Sequence, residues 1–133
     1  MKKIKLLFIL LIFVTNILSA QKKEKQTITD VSFKGTEIIL NKKHAFNYQK
    51  DGNHFSILTL DDQKIIEGDI SSLGDGKFSS LITFLPDRKF SNEKIIGRNQ
   101  LIFALVEKNV FNKDFSINGE NLDEFFKEYN QLK

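Results

Sequence analysis

Between Val31 and Leu85 apolar and polar residues alternate in short runs, and no gap between runs exceeds a tight turn or a short loop. That spacing is the strongest constraint in the chain. Parallel neighbours need a crossover of about a dozen residues or more, so runs this close must pair antiparallel and in sequence order, as a meander. Turn-forming residues mark the joints: Asn41-Lys42, Asp51-Gly52, Asp61-Asp62 and Gly74-Asp75-Gly76. They predict strands over residues 36–40, 44–48, 54–58, 64–70 and 77–85. Pro86-Asp87 is expected to end the sheet, because proline offers no ladder donor and constrains the residue before it. A polar loop over residues 87–94 would follow.

The hairpin around Asp51-Gly52 carries the sharpest expectation. A two-residue turn centred on Asp-Gly pairs Lys50 with Asn53, Tyr48 with Phe55, Phe46 with Ile57 and His44 with Thr59. One face is then aromatic and aliphatic. The other holds Asn47, Gln49, His54 and Ser56, and becomes apolar again at Ala45 and Leu58. By this parity His44 lies beside Phe46 and Tyr48, partly buried, while His54 is solvated on the opposite face. A site that uses both imidazoles is disfavoured.

Beyond the loop the period changes. Ile102, Leu105 and Val106, with Leu101 beside them, predict a helix over residues 99–108, where Ala104, Glu107 and Lys108 favour helix over a central strand and Asn109 suits its end. Leu122, Phe125, Phe126 and Tyr129 fall at i, i+3, i+4 and i+7, the stripe of an amphipathic helix. Asn121, with Glu124 three residues on, predicts its cap and places Asp123 and Glu124 in the first turn. The expected fold class is therefore α+β: an N-terminal antiparallel meander of about five strands packed by two C-terminal helices. The chain has 13 phenylalanines against two tyrosines and no tryptophan, and Phe33, Phe46, Phe55, Phe78, Phe84, Phe125 and Phe126 are assigned to the core.

Residues 1–20 read as an export signal. Lys2, Lys3 and Lys5 precede an apolar run from Leu6 to Leu18, which ends at Ser19 and Ala20. Cleavage is expected after Ala20, although Leu18 is larger than the small residue usual three positions before the cut. The run is shorter than the ~20 apolar residues of a spanning helix, so no stable membrane span is expected after cleavage. Residues 21–29 form a polar, lysine-rich leader, and residues 30–133 a single domain. The signal's three lysines equal the formal excess of +3, so the exported chain balances its charges and lacks the basic stripe that nucleic acid requires. These readings place the protein in the periplasm or outside the cell.

With no cysteine, thiol nucleophiles, Cys-ligated zinc and iron–sulfur clusters are excluded. Asp114-Phe115-Ser116-Ile117-Asn118-Gly119 matches the first half of a calcium loop. Its eighth position is Asn121 and its twelfth Phe125, where an apolar residue and a bidentate Glu are needed. A short strand over residues 114–117 and a turn at Asn118-Gly119 explain the same residues. The serines lack a nucleophile elbow, and no phosphate-binding glycine pattern occurs.

Arg88, Lys89, Lys94 and Arg98 gather between the sheet and the first helix, and Arg98-Asn99 stands at that helix's start. These five are the candidate ligand-binding residues, suited to an anion. The expected function is that of a non-catalytic binding module without metal or cofactor. It would meet a protein or small-molecule partner in the cell envelope through this loop or an uncovered sheet face. Two alternatives stand beside it. One is a small secreted hydrolase using Glu67 and Asp69 with a cation such as Arg98; the other is an envelope structural subunit with an exposed apolar edge.

Overall fold

The computed structural model describes residues 27–132, so the export signal and most of the polar leader lie outside the described residues. Seven strands follow one another: β1 (Val31–Lys34), β2 (Glu37–Leu40), β3 (Lys43–Asp51), β4 (His54–Leu58), β5 (Lys64–Gly74), β6 (Lys77–Phe84) and β7 (Arg88–Phe90). They form one antiparallel sheet in sequence order, the meander that the short joints require. Two helices complete the domain, α1 (Arg98–Glu107) and α2 (Gly119–Tyr129).

The sheet exceeds the expected five strands at both edges. At its start, Val31–Lys34 turns at Gly35-Thr36 and pairs with β2, Phe33 lying opposite Ile38. Asn41 ties down the preceding chain, its Oδ1 accepting from Thr29 N at 2.9 Å and its Nδ2 donating to Thr27 O at 3.1 Å. At the far edge Pro86 does not end the sheet. The chain turns over Leu85-Pro86-Asp87 and returns as β7, Ile82 opposite Phe90 and Phe84 opposite Arg88. Proline sits in the turn, where it removes no ladder donor, so it separates two paired strands and does not stop the pairing.

The central hairpin forms one residue further on than expected. Asp51 pairs with His54, which leaves Gly52-Asn53 as the two-residue loop and aligns Tyr48 with Ile57 and Lys50 with Phe55. Gly52 takes a φ of 60°, the conformation that the first central position of a type II′ turn requires. Shifting the turn by one residue moves the register by two, so each side chain keeps its face.

A bulge does change faces. Between Ile38 and Ile39 the β2–β3 register slips, so that Ile38 faces Phe46 while Ile39 faces His44 and Ala45 is the extra residue. His44 is thereby carried off the Phe46 face and onto the outer one. The expected opposition of the two histidines does not hold: both imidazoles stand on the outer surface, and His44 is exposed there, not partly buried beside Phe46 and Tyr48.

The inner face carries the core. Ile38, Leu40, Phe46, Phe55, Ile57, Ile66, Ile82 and Phe84 project from the strands, and Leu101, Ile102, Leu105, Leu122 and Phe125 meet them from the helices. Each buried side chain of this size contributes roughly 1.5–3 kcal/mol. Phe55 lies flat over Gly68: a Cβ there would come within 2.3 Å of the ring.

α1 matches its expected span within a residue. α2 begins earlier than expected, capped by Asn118, whose side chain accepts from Asn121 N at 3.1 Å. Asn121 serves the other helix. Its Nδ2 donates to Lys108 O at 3.3 Å and Asn109 O at 2.8 Å, closing carbonyls that α1 leaves free at its end. The first-turn acid is Glu120, not Asp123 or Glu124. Residues 114–117 form a turn, not a strand, with Phe115 at a φ of 65° and one bridge from Phe111 to Ile117.

The helices do not cover the whole inner face. A ten-residue helix spans about 15 Å, whereas an eleven-residue strand such as β5 runs about 36 Å. The far end of the β5–β6 hairpin therefore extends past its cover.

Candidate functional site

That overhang walls a cleft of about 790 Å³, within the range of small-molecule sites. Its floor is the continuation of the core face. Ile70 and Phe78 stand on the same face as Gly68, Ile82 and Phe84; Ile70 still packs against the core, but Phe78 is 52% exposed, and Leu73 beside it 65%. The opposite wall is the approach to α1, with Ile96, Gly97 and Gln100. Gln100 shapes this wall by accepting from Ile96 N and Gly97 N, both at 3.0 Å. Gly97 has Ile70 as its near neighbour, a Cβ there reaching the Ile70 side chain at 4.0 Å.

The rim is basic. Lys50 from the end of β3, Lys77 from the start of β6 and Lys94 from the loop before α1 border the cleft against the single acid Glu93. Among the described residues none of these lysines pairs with a carboxylate, whereas Lys64, Arg88, Lys108 and Lys127 all do.

The five sequence candidates do not come together. Lys94 lines the cleft. Arg88 lies over the Phe126 ring at 4.1 Å and pairs with Asp123 at 2.9 Å, which fastens β7 to α2. Lys89 donates to Thr83 Oγ1 across the strand pair at 3.1 Å. Arg98 is held between Phe33 and Tyr48, 4.5 and 4.3 Å from the ring centroids, and its Nε donates to Asn99 Oδ1 at 2.8 Å.

Phe78, assigned to the core from its place in the alternation, instead lines the cleft, half exposed. Sequence reading also passed over Lys50, Leu73 and Lys77. The signal that could have found them is the length of the β5–β6 hairpin set against two short helices.

On the outer face His54 stands between two acids, with Nδ1 2.8 Å from Asp69 Oδ1 and Nε2 3.8 Å from Glu67 Oε1. Lys64 approaches Glu67 at 3.4 Å. Glu67 and Asp69 thus share a face as expected, but their basic neighbours are His54 and Lys64. Arg98, packed on Tyr48, belongs to the inner side. His44 makes a separate contact, 3.2 Å from Glu37 and 2.7 Å from Asn47 Oδ1. Among the described residues no cluster of His, Asp and Glu has the arrangement to hold a metal ion. In the half calcium loop, Asp114 Oδ1 accepts from Ser116 N at 3.0 Å and closes a local turn.

Among the described residues, Lys108 has its proton affinity raised. The Glu128 carboxylate accepts from Lys108 and holds its ammonium above the ordinary lysine value of 10.5, at the junction of the two helices.

Comparisons with family models, with curated proteins and with solved structures each find no match to this chain. Among the described residues no helix is long and apolar enough to cross a membrane.

Proposed function

We propose that this protein is a small exported, non-catalytic binding module whose ligand occupies the cleft between the β5–β6 hairpin and the approach to α1. The observation that carries the reading is the uncovered end of the core face. Leu73 and Phe78 keep apolar surface in water at the one place where a concave wall of helix and loop faces them. Exposed apolar surface inside a concavity with a few polar groups is the usual composition of a ligand site. The second half of the basic loop, from Glu93 to Gly97, contributes to it, in keeping with the loop's expected role in binding.

A titration of the isotope-labelled protein with a chemically mixed fragment set, followed through its amide resonances, tests this. Shifts should concentrate at residues 70–78 and 93–100. Shifts confined to the outer face around His54 would overturn the reading.

A second reading, the small hydrolase, is favoured by the position of His54 between Asp69 and Glu67. It predicts that E67Q/D69N removes a turnover activity while leaving the melting temperature unchanged.

A further inference from the structure

We infer that the cleft takes a monomeric single-chain amphiphile with one anionic head group, such as an alkyl carboxylate. The inference rests on the cleft being the ligand site and names the chemistry it recognises. Two sets of lining residues together define the ligand. Ile70 and Phe78 on the floor, with Leu73 beside them and Ile96 on the facing wall, present hydrocarbon and one aromatic ring. These four gain by removing alkyl groups from water, while the polar side chains of Asn53 and Gln100 also line the cleft.

The rim sets three lysines against one glutamate, and the lysines have no carboxylate partner among the described residues. Lys34, Lys42, Lys43 and Lys89 also lack a carboxylate partner among the described residues, so what marks the cleft mouth is that three such lysines border one recess with apolar lining. Long flexible ammonium side chains at the edge of an apolar trough can bury their stems along a hydrocarbon chain and keep their charges at its head. A cationic amphiphile would meet the same stems and be repelled by the same charges. The trough is a recess between a hairpin and a helix approach, not a convex patch, which suits one chain inserted lengthwise and not a bilayer surface.

The test uses the protein purified from the envelope of an exporting bacterial host, titrated calorimetrically with amide resonances recorded in parallel. The probes are dodecanoate, dodecyltrimethylammonium and dodecyl maltoside, each below its micelle concentration, together with acetate and phosphatidylglycerol vesicles. Dodecanoate is expected to bind and to move the resonances of Leu73, Phe78 and Ile96. The cationic probe should bind at least about tenfold more weakly, and acetate should not bind measurably. The K50Q/K77Q/K94Q variant is expected to lose about tenfold for dodecanoate while its affinity for the maltoside stays level.

Equal affinity for the three alkyl probes, or binding by the maltoside or the cation alone, would overturn the ligand class while leaving the cleft as the site. Binding to vesicles without binding to monomeric dodecanoate would overturn it as well. If no probe and no fragment moves the cleft resonances, the binding-site reading and this inference fall together.

Discussion

Phe78 and Phe84 lie on the same face of β6, about 20 Å apart along the strand, and they meet opposite fates. At the Phe84 end, β7 and α2 bring in Phe90, Phe125, Phe126 and Tyr129. Phe90 stacks on Phe125 at 4.9 Å, and Phe84 meets Phe126 edge-on at 5.3 Å. At the Phe78 end the same face carries Ile70 and Phe78 with Ser72 and Ser80 among them, and Phe78 is left half exposed. The difference lies in the cover, since β7 and α2 pack one end only, and in the strands, since Ser72 and Ser80 stand on the inner face at the other. A buried aromatic cluster and an open cleft thus share one face of one sheet.

Breaking the covered end should have the largest effect. Phe90 is fully buried, so Phe90→Ala is expected to cost about 3–5 kcal/mol in urea unfolding, with a destabilisation below 1 kcal/mol counting against the cluster. Between the two ends, Gly68→Ala drives a methyl into the Phe55 ring. Because that ring is itself buried, the variant should lose roughly 1–3 kcal/mol, measurable as a lowered denaturation midpoint at unchanged slope.

Arg98, at the start of α1, lies over the rings of Phe33 on β1 and Tyr48 on β3. Arg98→Lys, which keeps the charge and loses the planar stack, is expected to cost about 1 kcal/mol. An unchanged midpoint would show those contacts to be idle.

A smaller effect concerns the helix junction. Lys108 has its value raised in the fold, so its contribution is complete below 10.5 and fades as pH climbs through the raised value. A pH series of melting temperatures should show an alkaline decline that Lys108→Met makes shallower.

Much of the fold was legible because alternation and turn chemistry are local. The strands from Glu37 to Phe84 and both helices follow from periods visible in ten-residue windows. What stayed hidden needed information from farther away. Asp51-Gly52-Asn53 offers two adjacent turns that preserve the same faces, and turn propensity alone does not choose between Asp-Gly and Gly-Asn. Asp75-Gly76 shows the contrast: there both residues take positive φ and form the whole loop between Gly74 and Lys77. The bulge at Ala45 has no mark in the sequence, yet it moved His44 to the other face. β7 was hidden behind a proline read as a stop.

The candidate site was the least legible part. Lys94 was recognised from charge clustering in a loop, but Lys50, Lys77 and Phe78 come from strand ends far apart in sequence. Only the mismatch between sheet and helix lengths brings them to one cleft. Arg88 and Arg98, the strongest cations by type, turned out to be occupied with aromatic rings.

The central claim is that the inner face is filled at one end and open at the other, and Phe78→Ser tests it most directly through urea unfolding. A half-exposed ring contributes only part of what a buried one does, so the variant is expected to stay within about 1 kcal/mol of the parent chain. A loss of about 3 kcal/mol or more, the size expected for a buried ring, would place Phe78 in a closed core and contradict the existence of the cleft.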